Sequence, residues 1–380
     1  DGRIERDARG NPTGALHEGA MSLVARHVPP TTSEEYYRAL LVAQRYLHGF
    51  GVTAWQDALL GSYADSDDPS ATYLRAAGSG DLTARVRGAL WWERDKGEEQ
   101  VEDLLIRRET FTVGRLSAGA VKLMLDGVVE RRTAAMSLPY LDGCGCRTGN
   151  TGLSFFDPVV LSNHVTRLDA EGFQVHVHAI GDRAVREALD SFDAALAANG
   201  PSRNRHHIAH IQVVSRVDRA RFARLGVTAN MQPLWARLER QMVDQTIPYL
   251  AQEQVAWQYP FADLARAGAR LAAGSDWPVT TPNPLLGVHV AVNRCGYAET
   301  GRSGTEVFLP EQRLSLTQAM AAYTSGSAYV NHLDESGLLE PGRLADVVVL
   351  DRDPFQVDPA EIGGCRVVAT YVDGTPVFGA

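Results

Sequence analysis

The chain alternates short apolar runs with segments of helical periodicity along most of its length, and this alternation restricts the folds open to it. Repeated strand–helix units build parallel sheets with right-handed crossovers. Strands are predicted at 51–57, 82–92, 118–127, 173–181, 206–212, 227–232 and 270–276. Helices are predicted at 33–49, 69–79, 98–110, 158–171, 183–199, 217–225, 259–267 and 316–329. Seven strands are one fewer than a (β/α)8 barrel needs, so we expect a TIM-like barrel lacking one strand.

The two ends of the chain differ from this pattern. The first residues read as a turn-rich, hairpin-like stretch and do not start with Met. Beyond residue 330, short strands at 337–351, 365–372 and 375–378 are joined by Gly, Pro and Asp turns. Three strands alone are marginally stable and need partners from elsewhere. We therefore predict a barrel over residues 1–330 and a small β-domain over 331–380.

Composition excludes several classes of protein. With 380 residues and 44% hydrophobic content, the chain can bury a large core. The net charge of −9, without a basic patch, argues against nucleic acid as a partner. No apolar run reaches the roughly 20 residues of a membrane span, so we expect a soluble, cytoplasmic protein. Four cysteines are too few for a disulfide scaffold, and Cys144 and Cys146 are interpreted as loop thiols.

The predicted strand at 173–181 contains an H-x-H pair. Side chains two residues apart in a strand point to the same face, so His176 and His178 project together. His178 is nearer the carboxyl end of the strand, where barrel enzymes perform chemistry. We predict His178 as a metal ligand and His176 as its support. The alternative, two hydrogen-bonded core histidines, stays open on this motif alone.

Three further residues occur towards the carboxyl ends of their own strands: Lys122, His210 and Asp276. Two imidazoles and a carboxylate around a barrel mouth suit a divalent metal such as zinc, with an open position for water. Such a metal lowers the pKa of the water to about 7, and Asp276 would pass the proton to the leaving group. Each residue has another interpretation: Lys122 could be a buried lysine paired with Asp126 or another carboxylate, and Asp276 could be a turn residue that ends its strand. His206 and His207 are interpreted as core or surface residues.

Substrate selection is predicted in two segments, the long loop at 128–151 and residues 234–259. The aromatic residues that would line an apolar pocket there are Trp235, Tyr249, Trp257 and Tyr259. The alternative is that these side chains belong to the core or to an interface.

The motifs, taken in order, resemble the metal-dependent amidohydrolase superfamily. They match its amidohydrolase-3, or YtcJ-like, branch, which includes N-substituted formamide deformylases. The matching segments are Val-Lys-Leu-Met-Leu-Asp-Gly, Val-His-Ala-Ile-Gly-Asp-Arg, Ile-Ala-His-Ile-Gln, Gly-Ser-Asp-Trp-Pro and Leu-Glu-Pro-Gly-Arg-Leu-Ala-Asp-Val-Val-Val-Leu-Asp. The resemblance implies a distorted eight-stranded barrel with a β-sandwich built from both chain ends, of which 331–380 would be the C-terminal part.

The resemblance also implies roles for individual residues. Lys122, in carboxylated form, would bridge two metals; His178 and His210 would bind the second metal; Asp276 would bind the first metal and act as acid and base. The residues expected to support these ligands are His176, Asp182, Gln212 and Trp277. The family's first strand carries another H-x-H, which this sequence lacks. We therefore expect an N-terminally truncated chain that binds at most one metal tightly and hydrolyses poorly.

A second departure from the family pattern is Ala209, where relatives commonly have Glu. The substitution removes a carboxylate that could fix the tautomer of His210.

The function predicted from all these features is metal-dependent hydrolysis of a non-peptide C–N bond in a small amide, formamide or cyclic amide. The alternative is a catalytically impaired barrel that binds a small molecule or partner. An aldolase-type or isomerase barrel with Lys122 as Schiff-base lysine ranks last, because residues 280–284 are not a phosphate loop. Neither nucleic acid nor membrane is expected as a partner, and a homodimer is the one assembly considered.

Overall fold

The computed structural model describes residues 2–63, 67–297, 304 and 306–379. Its strands are β1 Arg3–Arg6, β2 Pro12–His17, β3 Ala54–Leu60, β4 Arg85–Trp91, β5 Leu116–Met124, β6 Gln174–Ala179, β7 His207–His210, β8 Thr228–Met231, β9 Leu271–Ala273, β10 Val347–Leu350, β11 Val367–Val372 and β12 Thr375–Phe378. Its α-helices are α1 Ser22–Ala25, α2 Ser33–His48, α3 Ser70–Ser79, α4 Val101–Thr110, α5 Pro158–Ala170, α6 Asp182–Asn199, α7 Arg219–Leu225, α8 Gln252–Val255, α9 Phe261–Arg266, α10 Pro284–Asn293, α11 Leu316–Ala321 and α12 Ser327–Val330.

Seven strands, β3 to β9, form one parallel sheet in chain order. This confirms the predicted strand–helix alternation, and β6 with its H-x-H pair is the middle strand. The observed strands are shorter than predicted at several ends; β9 covers only Leu271–Ala273. Within the described ranges no ladder joins β3 to β9, so they are the two edges of the sheet. A missing first strand stays a prediction.

The sheet curls into a half-barrel. Gln56 Nε2 on β3 donates to Gln174 Oε1 on β6 at 2.9 Å, although three strand spacings separate these strands in the sheet. In a flat sheet that separation would be roughly 14 Å, at about 4.8 Å per spacing. The interior side chains therefore converge, as they do inside a barrel.

Burial on both faces explains the composition of β6. All six of its residues are buried. Val175 and Val177 belong to the same hydrophobic core as Leu168 of α5 and Leu189 of α6, on the helix-covered face. The alternating positions, His176 and His178, therefore point to the concave face.

The helices begin where the sequence supplies caps. Thr32 and Glu35 form a reciprocal capping box at the start of α2. The Asp157 side chain accepts hydrogen bonds from two backbone amides at the start of α5, and Pro158 follows as the first helical residue. No helix of the described residues combines the length and apolarity that a bilayer span requires.

Two smaller sheets flank the half-barrel. β1 and β2 form the antiparallel hairpin predicted at the N-terminus. β10, β11 and β12 form a three-stranded antiparallel sheet in chain order, which confirms a strand in each C-terminal segment, but β10 covers only Val347–Leu350 of the predicted 337–351. Arg85, at the start of β4, forms ion pairs with Asp346 and Asp373 of this C-terminal region. The division of the chain into two domains stays a prediction.

A buried polar cluster at Asp169 connects α5 to the start of β7. Asp169 accepts hydrogen bonds from Asn204 Nδ2 at 2.6 Å, Asn199 Nδ2 at 2.9 Å and His206 Nε2 at 3.0 Å. His206 Nδ1 accepts the amide hydrogen of Val175, so its proton is on Nε2. Burial acts to raise the pKa of Asp169, but hydrogen bonds from His206, Asn199 and Ser202 outweigh it and hold the pKa below its usual 3.8.

We expect Asp169→Asn to lower the free energy of unfolding at pH 7 by about 1–3 kcal/mol, because hydrogen bonds to a charged acceptor are lost. Since the folded-state pKa is depressed, this stabilisation is complete above pH 3.8 and is lost as the pH falls further. Urea unfolding of wild type and variant between pH 3 and 7 measures the difference. Asp95→Asn, at an exposed position, is the control. A pH-independent penalty would contradict the assignment.

Candidate active site

Four histidines form two layers inside the half-barrel. His176 of β6 pairs in register with His207 of β7, and their ring centroids are 4.1 Å apart. One step towards the carboxyl ends, the rings of His178 and His210 are 4.3 Å apart. His210 also stacks on Trp235 at 5.8 Å. The upper layer therefore holds the two histidines predicted as ligands, and the lower layer holds His176 and His207.

Lys122 of β5 lies next to these layers. Its Nζ is 2.9 Å from Nε2 of His176, and the residue is 7% exposed. Burial lowers the pKa of Lys122 to about 8, although the carboxylate of Asp276 opposes the shift. A lysine with this pKa is still mostly protonated at pH 7, with roughly a tenth of the amine neutral, far more than for an exposed lysine. Within the described part of the chain no ion pair joins Lys122 to Asp126, and the carboxylate that acts on the Lys122 ammonium is Asp276. The alternative of a buried lysine paired with a carboxylate therefore stays open.

Asp276 follows β9 at the opening of the concave face. It is exposed to solvent, yet the surrounding walls desolvate its carboxylate and raise its pKa, while the nearby Lys122 ammonium opposes the shift. The backbone of Asp276 has φ 56°, and that of His210 has φ 76°. Left-handed conformations of non-glycine residues are strained and occur preferentially at functional sites.

Burial also fixes the protonation state of the candidate imidazoles. It lowers the pKa of His178 to about 3, with a further contribution from Lys122. The pKa of His210 is held well below its usual value by burial and by His178 and Lys122. Both rings are therefore neutral at pH 7, the form that offers a nitrogen lone pair.

Asp126 is a residue of this site that the sequence motifs did not identify as functional. It is fully buried, and its carboxylate accepts amide hydrogens from Ala135 at 2.9 Å, Ile180 at 3.0 Å and Gly181 at 2.9 Å. Its Oδ1 is 3.6 Å from Nε2 of His178. Burial raises the pKa of Asp126 to about 7. The signal in the sequence was an acidic residue four positions after Lys122, at the end of the same predicted strand.

A cavity of about 1410 Å³ contains the candidate residues and continues through the opening between β3 and β9. The predicted residues that line it are Lys122, His176, His178, His210, Gln212, Trp235, Tyr259, Asp276 and Trp277. Three others do not line it. Asp182 is buried and accepts hydrogen bonds from the amide and hydroxyl of Ser137, and Tyr249 and Trp257 pack on a separate apolar cluster.

The available nitrogen atoms determine whether a metal ion suits this site. His178 Nε2 and His210 Nδ1 are buried without hydrogen-bond partners, as are His176 Nδ1 and His207 Nε2. Within the described ranges, no group of three His, Cys, Asp or Glu side chains is arranged to hold a metal. The donors that suit a metal ion are the two neutral imidazoles of His178 and His210, whose rings are 4.3 Å apart. Lys122, a residue type outside that set, stays a predicted third ligand.

The carboxyl end of β6 packs tightly against the loop at 128–151. A Cβ atom on Gly181 would lie 2.0 Å from the carbonyl oxygen of Ala135. That oxygen already accepts the amide hydrogen of Arg183 at 3.0 Å, in the first turn of α6. The close approach therefore requires glycine at position 181.

We expect Gly181→Ala to lower the free energy of unfolding by about 1–3 kcal/mol, because the added methyl group forces the loop away from β6. Gly78→Ala is the matched control: a Cβ atom added there would have no heavy atom within 4 Å, and alanine in a helix should stabilise by about 0.5–1 kcal/mol. Chemical unfolding and limited proteolysis within 128–151 measure both effects. Equal stability of the two variants would contradict the packing argument.

Comparisons with known proteins show the family of this chain. A family model described as "Amidohydrolase family" matches residues 1–378. Protein LONG AFTER FAR-RED 3 of Arabidopsis thaliana is 32% identical over 99% of this chain and 63% of its own length. The putative amidohydrolase YtcJ of Bacillus subtilis is 30% identical over 99% of this chain and 68% of its own length.

A more distant relative is the N-substituted formamide deformylase of Arthrobacter pascens, 24% identical over 98% of this chain and 66% of the enzyme. Among solved structures, an uncharacterized metal-dependent hydrolase from Pyrococcus horikoshii is 27% identical with a TM-score of 0.71, covering 94% of this chain and 68% of that one. The chain thus spans 63% of the length of the plant relative. The match over nearly every residue confirms the resemblance stated from the motifs: the chain belongs to the amidohydrolase family.

Proposed function

We propose that this chain forms the catalytic barrel of a metal-dependent hydrolase that cleaves a non-peptide C–N bond. The observation that carries the proposal is the convergence of Lys122, His178, His210 and Asp276 on one cavity from four separate strands or strand ends. Family membership and the name of the formamide deformylase relative support the reaction class. The chain spans only part of the length of its relatives. The activity of the whole protein is therefore also a proposal.

His178 and His210 would hold a divalent ion, with zinc as the expected metal, together with Lys122. Both imidazoles are neutral and have a buried nitrogen without a partner. When bound, such an ion supplies Lewis-acid chemistry, which polarises a carbonyl group and acidifies water. The depressed pKa of Lys122 also makes the amine a candidate for carboxylation by carbon dioxide, since the neutral amine is the reactive form.

Asp276 is the proposed proton carrier. Its carboxylate would take a proton from the attacking water as the new C–O bond forms, and would return it to the nitrogen as the C–N bond breaks. Partial desolvation raises its pKa, which strengthens it as a base relative to a fully solvated aspartate. Its exposure at the cavity opening allows it to reach both the water and the leaving group.

Trp235, Tyr259 and Trp277 are proposed to contact the substrate. They line the cavity beside the candidate metal residues, and Trp235 stacks on His210. An apolar amide, formamide or cyclic amide suits such walls.

The second candidate function is a barrel that binds a small molecule without turnover. It is favoured by one observation: within the described residues, no three His, Cys, Asp or Glu side chains are arranged around a metal position. The two candidates differ in metal content and in activity, so metal analysis and turnover measurements separate them.

We expect about one zinc ion per wild-type chain by plasma mass spectrometry after dialysis against a weak chelator, and a large loss of metal in His178→Ala and Lys122→Ala. Removing a ligand leaves too few donors for tight binding. His27→Ala removes an exposed histidine and should retain the metal. Metal-free wild type with intact circular dichroism would favour the binding function.

We expect Asp276→Asn to reduce hydrolysis of an N-substituted formamide panel by about 10²–10⁴-fold while zinc content is retained, since loss of general acid–base catalysis costs about that much. Asp95→Asn is the exposed control. Unchanged turnover in Asp276→Asn would contradict its role. Turnover that is absent in metal-loaded wild type would support the non-catalytic alternative.

A further inference from the structure

A second cavity, of about 310 Å³, lies at the amino end of the half-barrel, opposite the candidate active site. It is lined by Arg85, Arg87, Gly114, Arg115, His332, Leu333, Asp334, Glu335 and Leu344. Arg85 and Arg87 are in the first half of β4, and Arg115 directly precedes β5. One water occupies about 30 Å³ in the liquid, so the cavity has room for a polyatomic ligand.

The three arginines differ in how their N–H groups are used. Both terminal nitrogens of Arg85 form ion pairs, one with Asp346 and one with Asp373. Arg115 uses Nη2 on Asp373, while its Nη1 is buried without a hydrogen-bond partner. Arg87 donates through Nε to the carbonyl oxygen of Asn331 at 2.8 Å. Within the described part of the chain no carboxylate forms an ion pair with Arg87, so its two terminal nitrogens are available to an anion.

Among the described residues, the two acidic residues that line the cavity, Asp334 and Glu335, form no ion pair with Arg87 or Arg115, and the carboxylate paired with Arg115 is Asp373. Asp334 is bound by Arg205, at 2.7 Å and 2.9 Å. Glu335 is exposed, and its backbone carbonyl accepts the amide hydrogen of Leu344. Burial lowers the pKa of Arg87, and the like charge of Arg85 adds to this effect. A partly desolvated guanidinium beside another cation is stabilised by an anion.

We propose that this cavity binds a phosphate group, either as inorganic phosphate or as part of a small phosphorylated molecule, between Arg87 and the free Nη1 of Arg115. Guanidinium groups present planar pairs of donors that match the oxygens of phosphate. The cavity is also bordered by Leu344 and by the Arg85 and Arg115 ion pairs to Asp373, which join the half-barrel to the C-terminal sheet.

The test is a titration of the purified chain with inorganic phosphate, followed by thermal unfolding and calorimetry. Sodium chloride at matched ionic strength and sodium acetate are run in parallel. We expect a saturable rise in Tm with phosphate that chloride and acetate do not reproduce, because a ligand that binds only the folded state stabilises it by mass action. An effect equal to that of chloride overturns the proposal. A saturable rise in Tm with acetate as well would indicate a site for carboxylates and phosphates in general, and so overturns the phosphate assignment.

Variants of Arg87 locate the site. Arg87→Gln should weaken phosphate binding by at least about tenfold, which corresponds to about 1.4 kcal/mol. Arg87→Lys keeps the charge but loses the paired donors. Its affinity for phosphate should therefore lie between those of wild type and Arg87→Gln. Arg240→Gln removes an arginine whose side chain is 95% exposed, and this variant should bind phosphate as tightly as wild type. Wild-type affinity in a folded Arg87→Gln variant overturns the placement. A phosphorylated sugar that binds more tightly than inorganic phosphate identifies the larger ligand.

Discussion

The buried carboxylate of Asp126 holds together the three segments on which the candidate site depends. Its oxygens accept amide hydrogens from Ala135 in the long loop and from Ile180 and Gly181 at the end of β6. It follows β5 by two residues, so the strand of Lys122 is fixed against the strand of His178. Burial raises its pKa to about 7, against the effect of the three N–H donors. The position of His178 and the docking of the loop therefore depend on one carboxyl group.

The curl of the sheet is the second requirement, because it converts residues far apart in the chain into neighbours. Lys122 is on the third strand of the sheet and Asp276 follows the seventh, yet each shifts the pKa of the other. The Gln56–Gln174 hydrogen bond crosses the interior beneath them. In a flat sheet these groups would be separated by several strand spacings, and a shared cavity could not form.

The sequence predicted the sheet well because its signals are local. Short runs of strand-forming residues between segments of helical periodicity marked the seven strands, and the period of two placed His176 and His178 on one face. The same logic predicted His210 and Asp276 at strand ends, and both line the cavity. Asp126 could not be assigned in this way, because its partners Ala135 and Gly181 are brought to it only by the fold of the loop. Trp257 and Tyr249 are aromatic residues in the predicted pocket segment, but they pack away from the cavity, and composition alone cannot distinguish the two sides of a loop.

A buried imidazole nitrogen without a partner costs about 1–3 kcal/mol, so its presence calls for an explanation. Among the described residues, each of the four histidines in the two layers has one such nitrogen, and so does His164 of α5, so this property alone does not identify ligands. His176 and His207 form the deeper layer, where His176 already contacts Lys122 and His207 Nδ1 is 3.3 Å from Asn230 Nδ2. His178 and His210 are one step nearer the mouth, and both line the cavity that Asp276 reaches from its rim. His176 lines the same cavity, so the depth of the layers is what distinguishes the two pairs. We therefore propose the metal position at His178 and His210, nearer the carboxyl ends of the strands, where a bound ion would offset the cost of both unpartnered nitrogens.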